Sequence, residues 1–263
     1  MNPLKAGLSP LDAGFLLFKS RNFLSKCRVS KMPHVGFDLY IYDKYMRKIT
    51  GWPIWLFLCW WILIGGLSLT IAEFIGAFIV DLHVMAIICI LCAFACFVVL
   101  AVISLRFWLR FFSFGIGPVQ PGSLQEKYWM VYQLAWMFWF HPILLVPWLP
   151  VPLSRLVLIS LGAKIGDGSY SAGHVYDPHL VCIGHNSMIG ARAAIVPHVV
   201  EGSHLEHDPI HIGNDVTIGM NSMIMAGVKI GDHASIAAMS VVLKKTQIGP
   251  NEVWGGIPAR RIR

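Results

Sequence analysis

Between residues 181 and 256 the chain repeats itself every six residues. Ile183, Ile189 and Ile195 are in phase; after one interruption Ile212, Ile218, Ile224, Ile230, Ile236, Val242 and Ile248 are in phase again. Gly usually follows the aliphatic (Gly184, Gly190, Gly213, Gly219, Gly231, Gly249), and a small or β-branched residue stands two before it. A strand alternates with period two and a helix with 3.6, so neither alone yields a period of six. A solenoid does: each hexad is one short strand and a turn, and stacked coils line the aliphatics into one interior column. Gly is expected to supply the corner backbone that a side chain would hinder.

The rest of the chain is of another kind. Of 263 residues, 56% are hydrophobic and 13% charged, which points to a membrane class. The net charge of +7 is uneven: residues 1–50 hold nine Lys/Arg against three Asp/Glu, and from Pro150 onward the counts are nine and eight. The excess reads as a basic segment beside a membrane, and a nucleic-acid stripe on the folded domain is excluded. The six cysteines fit no disulfide scaffold; Cys89 and Cys92 read as small apolar side chains of a membrane helix.

Taken in order, residues 1–50 form a basic segment. Its runs SPLDAGFLLFKSRN and PHVGFDLYIYD resemble the opening of the wax-ester synthase/diacylglycerol acyltransferase family, without that family's HHxxxDG motif. Residues 52–105 contain no Lys or Arg and are long enough for two spans, expected at 54–72 and 84–105 within a helical hairpin over 51–106. Glu73 and Asp81 bracket the turn, while Lys44, Arg47, Lys48, Arg106 and Arg110 flank the outer ends. The positive-inside rule then puts both ends, and the repeat, on the cytoplasmic side of the inner membrane. Residues 107–153 are rich in Trp and Pro and read as interfacial, with a helix over 128–140 at the headgroup level. His141-Pro142 argues against an unbroken third span. Residues 154–263 are the repeat domain, with coils over about 161–253 and a tail ending in GGIPARRIR.

The repeat resembles the hexapeptide-repeat acyltransferases. That resemblance implies a mainly β domain, a left-handed parallel β-helix whose coils hold three hexads, here preceded by a transmembrane α-helical hairpin and interfacial helices. Ile165 lies one coil before Ile183, with Ser171 and Asp177 in the hexad positions between. The phase slips once, between Ile195 and Ile212, and a slip in a regular solenoid marks an extruded loop. The loop holds His198, Glu201, His204, Glu206, His207 and Asp208, with His211 just beyond.

The run DPHLVCIGHNSMIGARAAIVPH resembles the segment of polysaccharide O-acetyltransferases that ends at the catalytic histidine, and the step from His198 to Glu201 is similar to the hexapeptide domain of polylysine-synthetase-like enzymes. The resemblance implies His198 as catalytic base and Glu201 as its acidic companion. Attack on a thioester needs a hydroxyl or amine to lose a proton, and a near-neutral imidazole is the usual acceptor. A carboxylate should fix its tautomer, with Glu201 and Asp177 the candidates. Asp177, His204 and His207 are the expected acceptor-lining residues. The resemblance also implies acetyl-coenzyme A lying between protomers of a homotrimer, along Ala226, Gly227 and Ala238, with Lys244, Lys245 and Arg260 near its phosphates. Ala237-Ala238-Met239 stands where that family often has Gly-Ala-Gly. No metal is expected, and the expected acceptor is a lipid-linked glycan or lipid conjugate among the membrane lipids. Two other readings stay open: a zinc hydratase of the γ-carbonic-anhydrase type, and a non-catalytic trimeric scaffold.

Overall fold

The computed structural model describes residues 51–79, 82–112, 115–146 and 149–263. The basic segment 1–50, with its lipid-acyltransferase resemblance, lies outside the described residues.

Two long helices come first, α1 (Gly51–Gly76) and α2 (Leu82–Phe111). Each runs a few residues past the expected span, and both are long and apolar enough to cross a membrane. Their outer faces leave Ile62, Leu63, Phe74, Ile90 and Phe94 exposed, as the core helices of a water-soluble domain would not. They approach closely where Gly76 faces Cys89: the Cys89 thiol donates to the Ala72 carbonyl at 3.4 Å, and a Cβ on Gly76 would lie 2.3 Å from that sulfur.

Helix α3 (Leu124–Ala135) starts at a well-formed N-cap. The Ser123 hydroxyl accepts from the Glu126 N–H at 3.2 Å, and the Glu126 carboxylate reaches back to the Gly122 N–H. The helix widens into a π turn at Trp136–Phe140 and continues as α4 (His141–Leu144). The π turn directly precedes Pro142, whose nitrogen has no hydrogen to give the ladder. Val131, Tyr132, Ala135, Trp136, Trp139 and Phe140 of this stretch are all buried against the rest of the chain. Trp139 packs on Phe57 and Trp60 of α1, while Trp129, Tyr132 and Trp136 face the repeat domain. A short helix α5 (Val151–Ser160) leads into the first coil.

The hexads form a three-faced parallel prism, the β-helix the repeat implies. One face stacks residues 164–165, 181–183, 210–212, 229–230 and 247–248; the second 170–171, 188–189, 217–218, 235–236 and 253–256; the third 174–175, 194–196, 223–225 and 241–242. Like positions pair 18 residues apart, Ile212 with Ile230 and Ile230 with Ile248. All ten in-phase aliphatics are buried, none more than 5% exposed.

The glycines have a different cause from the one expected. The tight positive-φ corner falls two residues after each of them, on Asn186, Arg192, Asp215, Asn221, His233 and Asn251. Asn and Asp tolerate that conformation at least cost. The glycines themselves sit under the next coil: a Cβ on Gly219 would lie 2.3 Å from the Ala238 nitrogen. Gly219→Val is therefore expected to destabilise the protein by about 3 kcal/mol, as overpacking against immovable backbone does. A thermal melt of the full chain in detergent checks this, and an unchanged midpoint would show that the coils can spread.

Two irregularities build the site. In the first coil, Val175 takes the interior position and pairs with Ile195, 20 residues on, so Asp177 is not in the hexad column as expected. The second is the phase slip. Ile183 pairs with Ile212, 29 residues on rather than 18. The inserted residues form an antiparallel hairpin, His198–Glu201 against His204–His207, turning at Gly202 with φ +59°. A third strand from the helical part, Gly117–Val119, pairs with Leu205–His207. The extrusion is a small three-stranded sheet that buries Val199 and Leu205.

Candidate active site

Asp177 is fully buried, at φ +42°, ψ +62°, and caps a single 3-10 turn at Pro178–Leu180 whose Leu180 N–H donates to its carbonyl at 2.8 Å. Its Oδ2 meets Nδ1 of His198, the first residue of the hairpin, at 2.5 Å. Among the described residues the other ring nitrogen of His198, Nε2, has no hydrogen-bond partner. An imidazole held through Nδ1 by a carboxylate keeps Nε2 as the acceptor of a proton.

The surroundings bias both groups. Burial pushes the Asp177 carboxyl up, but the His198 hydrogen bond and the imidazoles of His198, His179 and His207 more than offset it, leaving it below the usual carboxylate range. Burial pulls His198 down, but the bond to Asp177 and its charge outweigh this and leave His198 above its ordinary value. His179 is pulled down by burial and stays neutral, although Asp177 acts the other way. Tyr132 is raised well above 10.0 by burial, and by the charge of and a hydrogen bond to Asp177, so it keeps its proton. His198 is thus the imidazole that Asp177 stabilises as a cation.

Helix α3 walls the pair from the other side. The Trp129 ring stands edge-on to His198 at 5.7 Å and to His207 at 5.6 Å. Tyr132 stands edge-on to His179 at 5.2 Å. Tyr176 completes the enclosure, perpendicular to His198 at 6.2 Å. The strand Gly117–Val119 and the N-cap at Ser123 fix where α3 begins, and so where Trp129 and Tyr132 arrive.

The expected site residues separate into two groups. Asp177 and His198 meet. His207 is wholly buried beneath Trp129. Glu201 lies at the exposed hairpin turn, its carboxylate taken by Lys244 at 2.8 Å. Glu206 is held by Lys245 and by His204, which draw it below the usual range. Lys244 and Lys245, expected near phosphates, tie the hairpin to a later coil. Ala226 is buried and accepts from the Lys245 N–H at 2.8 Å; Gly227, at φ +73°, donates to the Asp208 carbonyl at 3.1 Å. Ala238 and Arg260 are exposed on the prism. Met239 occupies a positive-φ corner (φ +57°) and is 66% exposed, which gives a reason for Gly at that position in the resembling family.

Sequence reasoning missed Trp129 and Tyr132. Their spacing with Trp136 and Phe140 marks one helical face, but an aromatic face reads equally as a headgroup belt. Among the described residues no three His, Cys, Asp or Glu side chains converge as a metal site requires. His185 Nδ1 accepts from the Asp167 N–H at 3.1 Å.

Comparison with known proteins follows the repeat. Residues 209–244 match the family model for the bacterial transferase hexapeptide (six repeats). The chain is 31% identical over 111 residues to delta-poly-L-ornithine synthetase of Acinetobacter baumannii, covering 42% of this chain and 8% of that protein. It is 37% identical over 99 residues to galactoside O-acetyltransferase of Escherichia coli, covering 34% and 46%. It is 36% identical over 81 residues to mitochondrial gamma carbonic anhydrase 2 of Arabidopsis thaliana, covering 31% and 25%. The chain thus spans less than half the length of each of these relatives.

Proposed function

We propose, from the premise that this chain belongs to the hexapeptide-repeat acyltransferases, that it moves an acetyl group from acetyl-coenzyme A to a hydroxyl or amine of a membrane-associated acceptor. The observation that carries the proposal is the His198–Asp177 pair, walled by Trp129 and Tyr176, with Nε2 unpartnered among the described residues. In the reaction, Nε2 takes the proton as the acceptor oxygen or nitrogen bonds to the thioester carbonyl carbon. The tetrahedral intermediate then expels the thiolate, and His198 returns the proton to give free coenzyme A. Asp177 holds the tautomer and offsets the charge on the imidazolium.

We read the donor as lying on the prism surface at Gly227 and Ala238, beside the buried Ala226, with Arg260 nearest its phosphates and Lys244 and Lys245 exchanging their Glu201 and Glu206 partners for them. A trimer with donor sites between protomers is supported by Met188, Met220, Met223, Met239 and Leu243, large apolar side chains left exposed on the coils. The hairpin α1–α2 is read as the anchor, with both ends and the β-helix on the cytoplasmic side of the inner membrane.

The test uses the full chain in nanodiscs. Coenzyme A at about 100 Kd is expected to stabilise it by ~2.7 kcal/mol in a thermal melt, and radiolabelled acetyl-coenzyme A to label a component of a membrane extract. A protein that shows neither effect would be a scaffold. One that purifies with stoichiometric zinc and moves no label would be the hydratase.

A further inference from the structure

A cavity of about 580 Å³ lies between the α3–α5 segment and the first coil. Leu144, Leu145 and Val151 line one wall; Trp136, His141 and Tyr176 line another. Its size is that of a small-molecule site.

Three observations say what it holds. First, Trp136 is 2% exposed, yet among the described residues its Nε1 has no hydrogen-bond partner, and neither does the buried Nε2 of His141. A buried polar atom is stabilised by a hydrogen-bond partner, and a polar group of a ligand in the cavity would supply one to each. Burial and His174 draw His141 below its ordinary value, so it meets that ligand uncharged. Second, a single ring separates the polar wall from the base: His141 is 5.8 Å from Tyr176, and Tyr176 is 6.2 Å from His198, ring to ring. Third, the apolar wall belongs to the segment that follows the two helices with exposed apolar faces.

We propose that this cavity is the acceptor subsite, and that the acceptor is a single lipid: an amphiphile whose polar head enters between Trp136, His141 and Tyr176 and carries its hydroxyl or amine past the Tyr176 ring to His198, and whose alkyl chain runs along Leu144, Leu145 and Val151. This rests on the acyltransferase reading and adds to it the class and orientation of the substrate. A soluble sugar would satisfy the polar wall and leave the apolar one wet.

The test is photolabelling of the full chain in phosphatidylcholine nanodiscs with a diazirine-bearing dodecanol, followed by peptide mapping. Label is expected on residues 141–151 and 171–176. Ala172→Phe, at an exposed position lining the cavity, is expected to lower that label about tenfold, the effect of ~1.4 kcal/mol. Label confined to α1 and α2, no label, or equal yield in Ala172→Phe overturns the proposal. Labelling needs no transfer, so His198→Asn is expected to label like the wild type. Loss of the acyltransferase reading would show in transfer assays alone.

Discussion

His198→Asn is expected to lower acetyl transfer by about 10²–10⁴-fold, the contribution of a positioned general base. Asn is the informative replacement. Its amide can still donate to the buried Asp177 carboxylate, whereas His198→Ala would leave that charge unpaired and confuse lost stability with lost chemistry. Initial rates with labelled acetyl-coenzyme A, alongside a thermal melt, check the prediction; wild-type rates from intact His198→Asn would remove the proposed base. The sign of the pH dependence follows from the direction of the shift. His198 lies above 6.5, so the neutral, competent form gains as pH rises, and kcat/KM should climb with a midpoint above 6.5. Stability runs the other way for this group: its contribution is complete below 6.5 and fades as pH rises through the folded-state value. Asp177 lies below 3.8, so its contribution is present above 3.8 and lost as pH falls through its folded-state value.

Asp177→Asn is the second large effect. Removing the carboxylate removes what raises His198, while burial, which lowers it, remains. The midpoint of kcat/KM against pH is expected to move downward, below 6.5. The plateau is expected to fall by up to about 10⁴-fold, because an amide can stabilise the wrong tautomer and offsets no charge. The direction of the midpoint is the discriminating readout. A residue that merely supports the fold would reduce the rate and leave the profile in place.

The prism was legible because its signal is redundant: ten aliphatics in two in-phase runs, all of which the structure buries. The phase slip gave the location of the insertion for the same reason. Its form was not legible, since the strand that pairs with Leu205–His207 comes from Gly117–Val119, nearly ninety residues earlier and outside any repeat. His198 could be named from its place at the slip and from the resemblance. Its partner was left open between Glu201 and Asp177 because the two-residue shift inside the first coil, which puts Val175 in the column four residues after Ser171 and frees Asp177 from it, has no marker in the hexad pattern. The glycines were correctly placed and wrongly explained: close stacking and positive φ both demand Gly, and only coordinates show which position carries which demand.

Trp129 and Tyr132 carry a practical consequence. Cutting the gene at residue 154, where the periodic pattern would invite a soluble fragment, strips both rings away and leaves Asp177, His179 and His207 facing water. A crystallographer's truncated prism would keep every rung and lose the dry chamber in which the imidazole and carboxylate are matched. The border of the candidate site therefore lies inside the helical bundle, upstream of the border that the six-residue rhythm draws.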